Sequence, residues 1–121
     1  MIGKIAYIWY PTTDMDRAVE FYHHLLGFKL LFQREDWSEF AVNGQRFALR
    51  KVTEISAPAA TGTPGVSFLA SPIEDMVNLL SLKGVRFAER PQEYPYGKIA
   101  SFRDPDGNIL GLYEPPPSKG E

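Results

Sequence analysis

Along the chain, apolar and polar positions first alternate, then shift to a helical period, then alternate again, and this whole order occurs twice. Residues 4–10, KIAYIWY, read as a strand. The stretch TTDMDRAVEFYHHLLGF then sets Met15, Ala18, Val19, Tyr22, Leu25 and Leu26 on one face at helical spacing, which predicts a helix. Thr13 or Asp14 can cap its start, Asp16 suits its first turn and Gly27 is placed to end it. Three strands follow, near 28–35, 38–43 and 46–52, and Asn43-Gly44 between the last two is a hairpin signal. Residues 53–64 are small, Pro-containing and without period, as a linker would be. The order then restarts. GVSFLA reads as a strand and SPIEDMVNLLSLKGV as a helix, with Ser71 as cap, Pro72 in the first turn and Glu74 completing a capping box. Strands near 85–90, 97–103 and 108–113 close the series.

The pattern is βαβββ, linker, βαβββ, and the halves correspond residue by residue. Met15-Asp16 matches Ile73-Glu74 and Phe21-Tyr22 matches Leu79-Leu80, which carries Tyr7 onto Gly65. Later in each half, Gly44 matches Gly107 and Ala48 matches Gly111. The expected fold class is α+β: two repeated βαβββ modules forming curved mixed sheets, helices on the outer face, and a concave pocket on the other. The expected organisation is a single domain over 1–121. Module one covers about 3–52, the linker 53–64, module two about 65–115, and the tail 116–121.

Composition narrows the function classes. The 121 residues suit one compact domain, and 44% apolar residues can build its core. Thirteen Lys and Arg against fifteen Asp and Glu give a net charge of −2, which makes no electrostatic case for nucleic acid or an anionic membrane as partner. There is no Cys, hence no disulfide framework, thiolate metal site or cysteine nucleophile. No apolar run approaches ~20 residues and the first residues lack a signal-peptide core, so a soluble cytoplasmic domain is expected.

Few residues propose chemistry of their own. His23 and His24 are adjacent on a helix and diverge by roughly 100°, so they read as solvated rather than as a chelating pair. Glu35, Asp36 and Glu39 read as a solvated strand end or loop. No Ser-His-Asp set and no Gly-rich phosphate loop is present. Strand parity is more informative. Ile5, Tyr7 and Trp9, Arg46, Ala48 and Arg50, Gly65, Ser67 and Leu69, and Ile109, Gly111 and Tyr113 should face away from the helices. Ile8, Phe47, Leu49, Val66, Phe68, Leu110 and Leu112 should face them. The first set mixes aromatic, apolar and polar groups, as an organic-ligand pocket does. Small Ala48, Gly65 and Gly111 would leave room in it; Gly111 could equally relieve a bend in its strand.

The repeat, the D-x-x-R-A-x-x-F-Y-x-x-x-L-G-F run from Asp14 and the F-R-D-P-D-G-N run from Phe102 together resemble the vicinal oxygen chelate superfamily. That group includes glyoxalase I, extradiol dioxygenases, fosfomycin resistance enzymes and bleomycin resistance proteins. The resemblance covers about residues 3–115. It implies ligand positions for a divalent metal at Tyr7, Ala48, Gly65 and Gly111, where its metal-dependent members carry His, Glu or Gln. Three ligands are needed to hold a catalytic ion firmly, and this set offers one phenol. The resemblance therefore implies a metal-free, cofactor-free protein that binds a small organic molecule, like the bleomycin resistance proteins, in a sequestration or resistance role. Its expected ligand-binding residues are Tyr7, Trp9, Trp37, Ala48, Arg50, Gly65, Ser67, Tyr96, Gly111 and Tyr113. The alternative is a glyoxalase- or dioxygenase-like lyase or isomerase acting on a small organic substrate. In that case Tyr7, Tyr96 or Tyr113 would act as acid, with Arg50 stabilising an anion. A ligand-free structural dimer is a third class. A homodimer is expected because each module leaves a sheet face and strand edges to cover.

Overall fold

The structure is a computed structural model that describes residues 1–55 and 64–117; most of the expected linker and the end of the expected tail, 118–121, lie outside the described residues. The chain divides into two compact units, Met1–Pro58 and Ala59–Glu121. In the first unit β1 (Ile8–Thr12) leads into α1 (Met15–Val19), which continues as a π-helical segment over Glu20–Leu25. β2 (Lys29–Gln33), β3 (Trp37–Val42) and β4 (Gln45–Lys51) follow. The sheet order is β1-β4-β3-β2, with β1 parallel to β4 and the other pairs antiparallel. The second unit repeats this with β5 (Ser67–Leu69), α2 (Ile73–Leu82), β6 (Phe87–Tyr94), β7 (Gly97–Arg103) and β8 (Ile109–Glu114). Its order is β5-β8-β7-β6, with β5 parallel to β8. The fold class is thus α+β, a mixed four-stranded sheet and a helix made twice.

In the first unit the core is aromatic. Tyr22 of the helix is fully buried, 5.0 Å from the Phe47 ring and 6.0 Å from Phe40, and Phe28 stands 5.7 Å from Phe47. Each such pair adds roughly 0.5–1.5 kcal/mol beyond its burial. Asp14, one of the two expected caps, starts α1: its side chain accepts from the Arg17 backbone N–H at 3.1 Å. Gly27 ends the helix at φ +79°. The π segment is not visible in the apolar spacing. It carries Leu25 and Leu26 to half-buried positions and buries Phe21 instead. β1 starts four residues later than the alternation suggests and runs through Pro11, which an edge strand tolerates because a missing N–H costs no interior ladder bond. Tyr7 therefore precedes the strand. Asn43 and Gly44 both have positive φ, 49° and 88°, as a two-residue hairpin turn requires. That turn sets the β3–β4 register, from Val42 opposite Gln45 to Trp37 opposite Arg50.

The second unit has a more aliphatic core. Ile73, Val77 and Leu80 of α2 are buried, as are Ala100, Phe102, Leu110 and Leu112 of the sheet. The start of α2 differs from expectation. Pro72 holds the cap position in extended conformation and the Ser71 capping box does not form. The Glu114 carboxylate of β8 instead accepts the Ile73 N–H at 2.8 Å, and Glu74 pairs with Lys98 at 3.0 Å. β6 is longer than expected because Pro91 lies in an irregular stretch of an edge strand, between the Glu89 and Gln92 pairings. The F-R-D-P-D-G-N run is a self-contained turn. Buried Asp104 accepts from the Asp106 and Asn108 backbone N–H groups, each at 2.9 Å, and from the Asn108 amide at 2.8 Å.

Candidate functional site

The face of the first sheet turned away from α1 gathers most of the expected residues of that unit. Trp9, Ala48 and Glu39 stand opposite one another across β1, β4 and β3, and the next row holds Pro11, Arg50 and Trp37. Ala48 is fully buried between its neighbours, whereas Tyr7 and Trp9 remain 47% and 42% exposed. The Tyr7 ring meets Trp37 edge-on at 5.4 Å, and the Arg50 guanidinium lies over the Trp9 ring at 5.7 Å. Tyr7, Trp9, Trp37, Ala48 and Arg50 are thus brought together. Sequence reasoning missed Glu39. It is not a solvated strand end but a half-buried carboxylate in the middle of this face. Trp37 Nε1 donates to Glu39 Oε2 at 2.8 Å, and Arg46 Nε lies 3.4 Å from Oε1. The signal was available: a two-residue turn at Asn43-Gly44, counted back along both strands, puts Glu39 opposite Ala48.

The corresponding face of the second sheet carries a row of Ser67, Gly111, Ser101 and Glu89, one residue from each strand. Gly111 does not leave open space here, contrary to expectation. A Cβ built on it would collide with Ser67 Oγ and lie 2.9 Å from Pro64 Cγ. Its φ is not positive, so glycine is present for close approach and not for backbone freedom. Gly65 lies just ahead of β5, outside the ladder. Tyr96 sits in the β6–β7 turn with its ring stacked on Tyr94 at 5.2 Å. Tyr113 donates its hydroxyl to the Tyr96 carbonyl at 2.6 Å. Gly97, at φ +137°, makes room for the Tyr113 ring, which a Cβ would approach to 2.6 Å.

The four positions that the resemblance marks as metal ligands do not form a donor set. Ala48 and the two glycines carry no donor side chain, the space over Gly111 holds Ser67 and Pro64, and the Tyr7 ring packs on Trp37. Among the described residues no three His, Asp or Glu side chains converge as a metal group. These residues do not fit a chelated ion. His23 is engaged by the Phe28 carbonyl at 2.8 Å, and His24 by Glu20 at 2.8 Å. A surface groove of about 690 Å³ opens where β1 passes into α1, lined by Thr13, Asp14, Asp16, Arg34, Glu35 and Lys51 among others. It contains none of the expected ligand residues.

Two βαβββ modules, each a mixed sheet with a helix on one face, define the class of paired-βαβββ proteins. Within it, the chain belongs to the Glyoxalase/Bleomycin resistance protein/Dioxygenase superfamily, whose family model matches residues 4–112. It is 28% identical over 121 residues to virulence protein STM3117 of Salmonella typhimurium, an alignment spanning 93% of this chain and 84% of that protein. The crystal structure of TnmS3, an antibiotic binding protein from Streptomyces sp. CB03234, superposes with a TM-score of 0.76 at 28% identity, over 95% of this chain and 98% of that one. FosX, a fosfomycin resistance protein from Listeria monocytogenes, shares the fold at a TM-score of 0.78 and 15% identity, over 96% of each chain. No helix among the described residues is long and apolar enough to cross a membrane.

Proposed function

We propose that this protein binds a small planar organic molecule without a chelated metal and holds it, in a sequestration or resistance role. The observation that carries the reading is the helix-free face of the first sheet. Tyr7 and Trp9 keep large aromatic areas exposed there, beside Trp37 and above buried Ala48. Exposed aromatic surface grouped around a small residue favours a flat apolar ligand, with a few polar groups to orient it. The donor-poor set Tyr7, Ala48, Gly65 and Gly111 supports metal-independent binding. Likeness to an antibiotic binding protein over nearly the whole chain supports a drug-like ligand. The cysteine-free composition suits a reducing cytoplasm.

A thermal-shift titration tests this, with 2-naphthoate and its neutral counterpart 2-naphthamide as planar probes. A ligand at about 100 times its Kd stabilises the folded state by ~2.7 kcal/mol, a shift of several degrees for a chain of this size. The expected result is a rise in Tm with one or both probes, lost in Trp9→Ala, whose exposed ring can be removed without opening the core. A flat Tm for both probes at millimolar concentration would count against the reading.

A further inference from the structure

We infer that the bound molecule is an anion, and that Arg50 grips its carboxylate or equivalent planar oxyanion while the ring system lies against Trp9, Trp37 and Tyr7. This rests on the first sheet's helix-free face being the binding surface, as proposed above. The charges on that face decide the sign of the ligand. Glu39 is its acidic residue in the central row, and both its oxygens are engaged, one by the Trp37 indole N–H and one by Arg46. Arg46 is thereby neutralised. Arg50 has no carboxylate partner among the described residues and lies over the Trp9 ring. The face therefore has surplus positive charge, although the whole chain has a net charge of −2.

Geometry makes Arg50 the specific element. Its row neighbours are Pro11 on β1 and Trp37 on β3, neither of which offers an acceptor side chain. A guanidinium held over an indole by cation–π attraction keeps its N–H groups available to meet a carboxylate with two parallel hydrogen bonds. Glu39, in the adjoining row, is engaged by the Trp37 indole N–H and by Arg46. A flat aromatic acid could then lie along the rings with its carboxylate on Arg50. A cationic isostere would leave that guanidinium unpaired, and a neutral amide would offer it one uncharged carbonyl oxygen in place of the two charged oxygens of a carboxylate.

The test compares 2-naphthoate with 2-naphthamide by isothermal titration of the intact chain at neutral pH. The carboxylate is expected to bind roughly tenfold or more tightly than the amide. Arg50→Gln should erase that preference. Lys51→Gln, which removes a charge one residue further along β4 and on the opposite face, should preserve it. Equal affinity for the two probes in the unmodified protein, or a preference that survives Arg50→Gln, overturns the anion assignment and leaves the binding face standing. Failure of both probes to bind overturns the binding face and this inference together.

Discussion

Gly111 shows how a residue with no side chain can be read two ways. A glycine inside a strand weakens it, so its presence needs a reason. From the sequence, a missing ligand side chain and a relieved bend were both open. The structure gives a third answer, because Ser67 and Pro64 occupy the place a side chain would take. Gly111→Ala should therefore destabilise the fold by about 1–3 kcal/mol through overpacking. Adding Ser67→Gly should return part of that loss, and urea unfolding of the two variants checks it. The neighbouring Ser101 hydroxyl is buried with no hydrogen-bond partner among the described residues. A buried hydroxyl without a partner carries its desolvation cost unrelieved. Ser101→Ala should thus leave Tm unchanged or raise it. Glu39 teaches the converse lesson. Read as one of several nearby acids it looked solvated, and only the hairpin register places it opposite Ala48 and against Trp37.

At the scale of elements, local signals carried far and non-local ones did not. The Asp14 cap, the Gly27 stop and the Asn43-Gly44 turn were legible because each depends on a few adjacent residues. The start of α2 was not, since its cap comes from Glu114, 41 residues away. Ser71 has the right chemistry for a cap, but Pro72 takes the position. Glu114→Ala should cost about 1 kcal/mol, within the range of lost N-caps, while Ser71→Ala should cost little; chemical denaturation of both distinguishes the caps. The adjoining Glu74–Lys98 pair makes a pH prediction. The backbone hydrogen bond at Glu74, and then the Lys98 ammonium, lower the Glu74 carboxyl below its ordinary value. Its contribution is present above the usual carboxylate range and is lost as the pH falls through the lowered value. The bond to Glu74 raises Lys98, so its contribution holds below the usual lysine range and is lost as the pH climbs through the raised value. Both groups are exposed and the effect is small. The stability difference between Glu74→Gln and the parent should accordingly shrink toward zero in acid, measured by Tm against pH.

At the scale of the whole molecule, the repeat was the strongest signal in the sequence. It fixed the order of elements, and the parallel pairings Trp9–Ala48 and Ser67–Gly111 are its structural echo. Parity along the strands then assigned the faces, because a period of two survives small errors in strand ends. The candidate face was not fully legible, since Trp9, Trp37, Glu39 and Arg50 lie on different strands and meet only through their register. Each module leaves two sheet edges, β1 and β2 in one and β5 and β6 in the other, which favours association with a second copy. Light scattering at micromolar concentration should give the mass of a homodimer; the mass of one chain would refute it. The central claim, metal-independent binding of a small organic anion, is tested most directly by native mass spectrometry of protein prepared without chelators and then mixed with 2-naphthoate. The predicted spectrum shows one organic ligand per chain and no stoichiometric metal. One zinc, manganese, iron or nickel ion per chain, with no organic adduct, would contradict it.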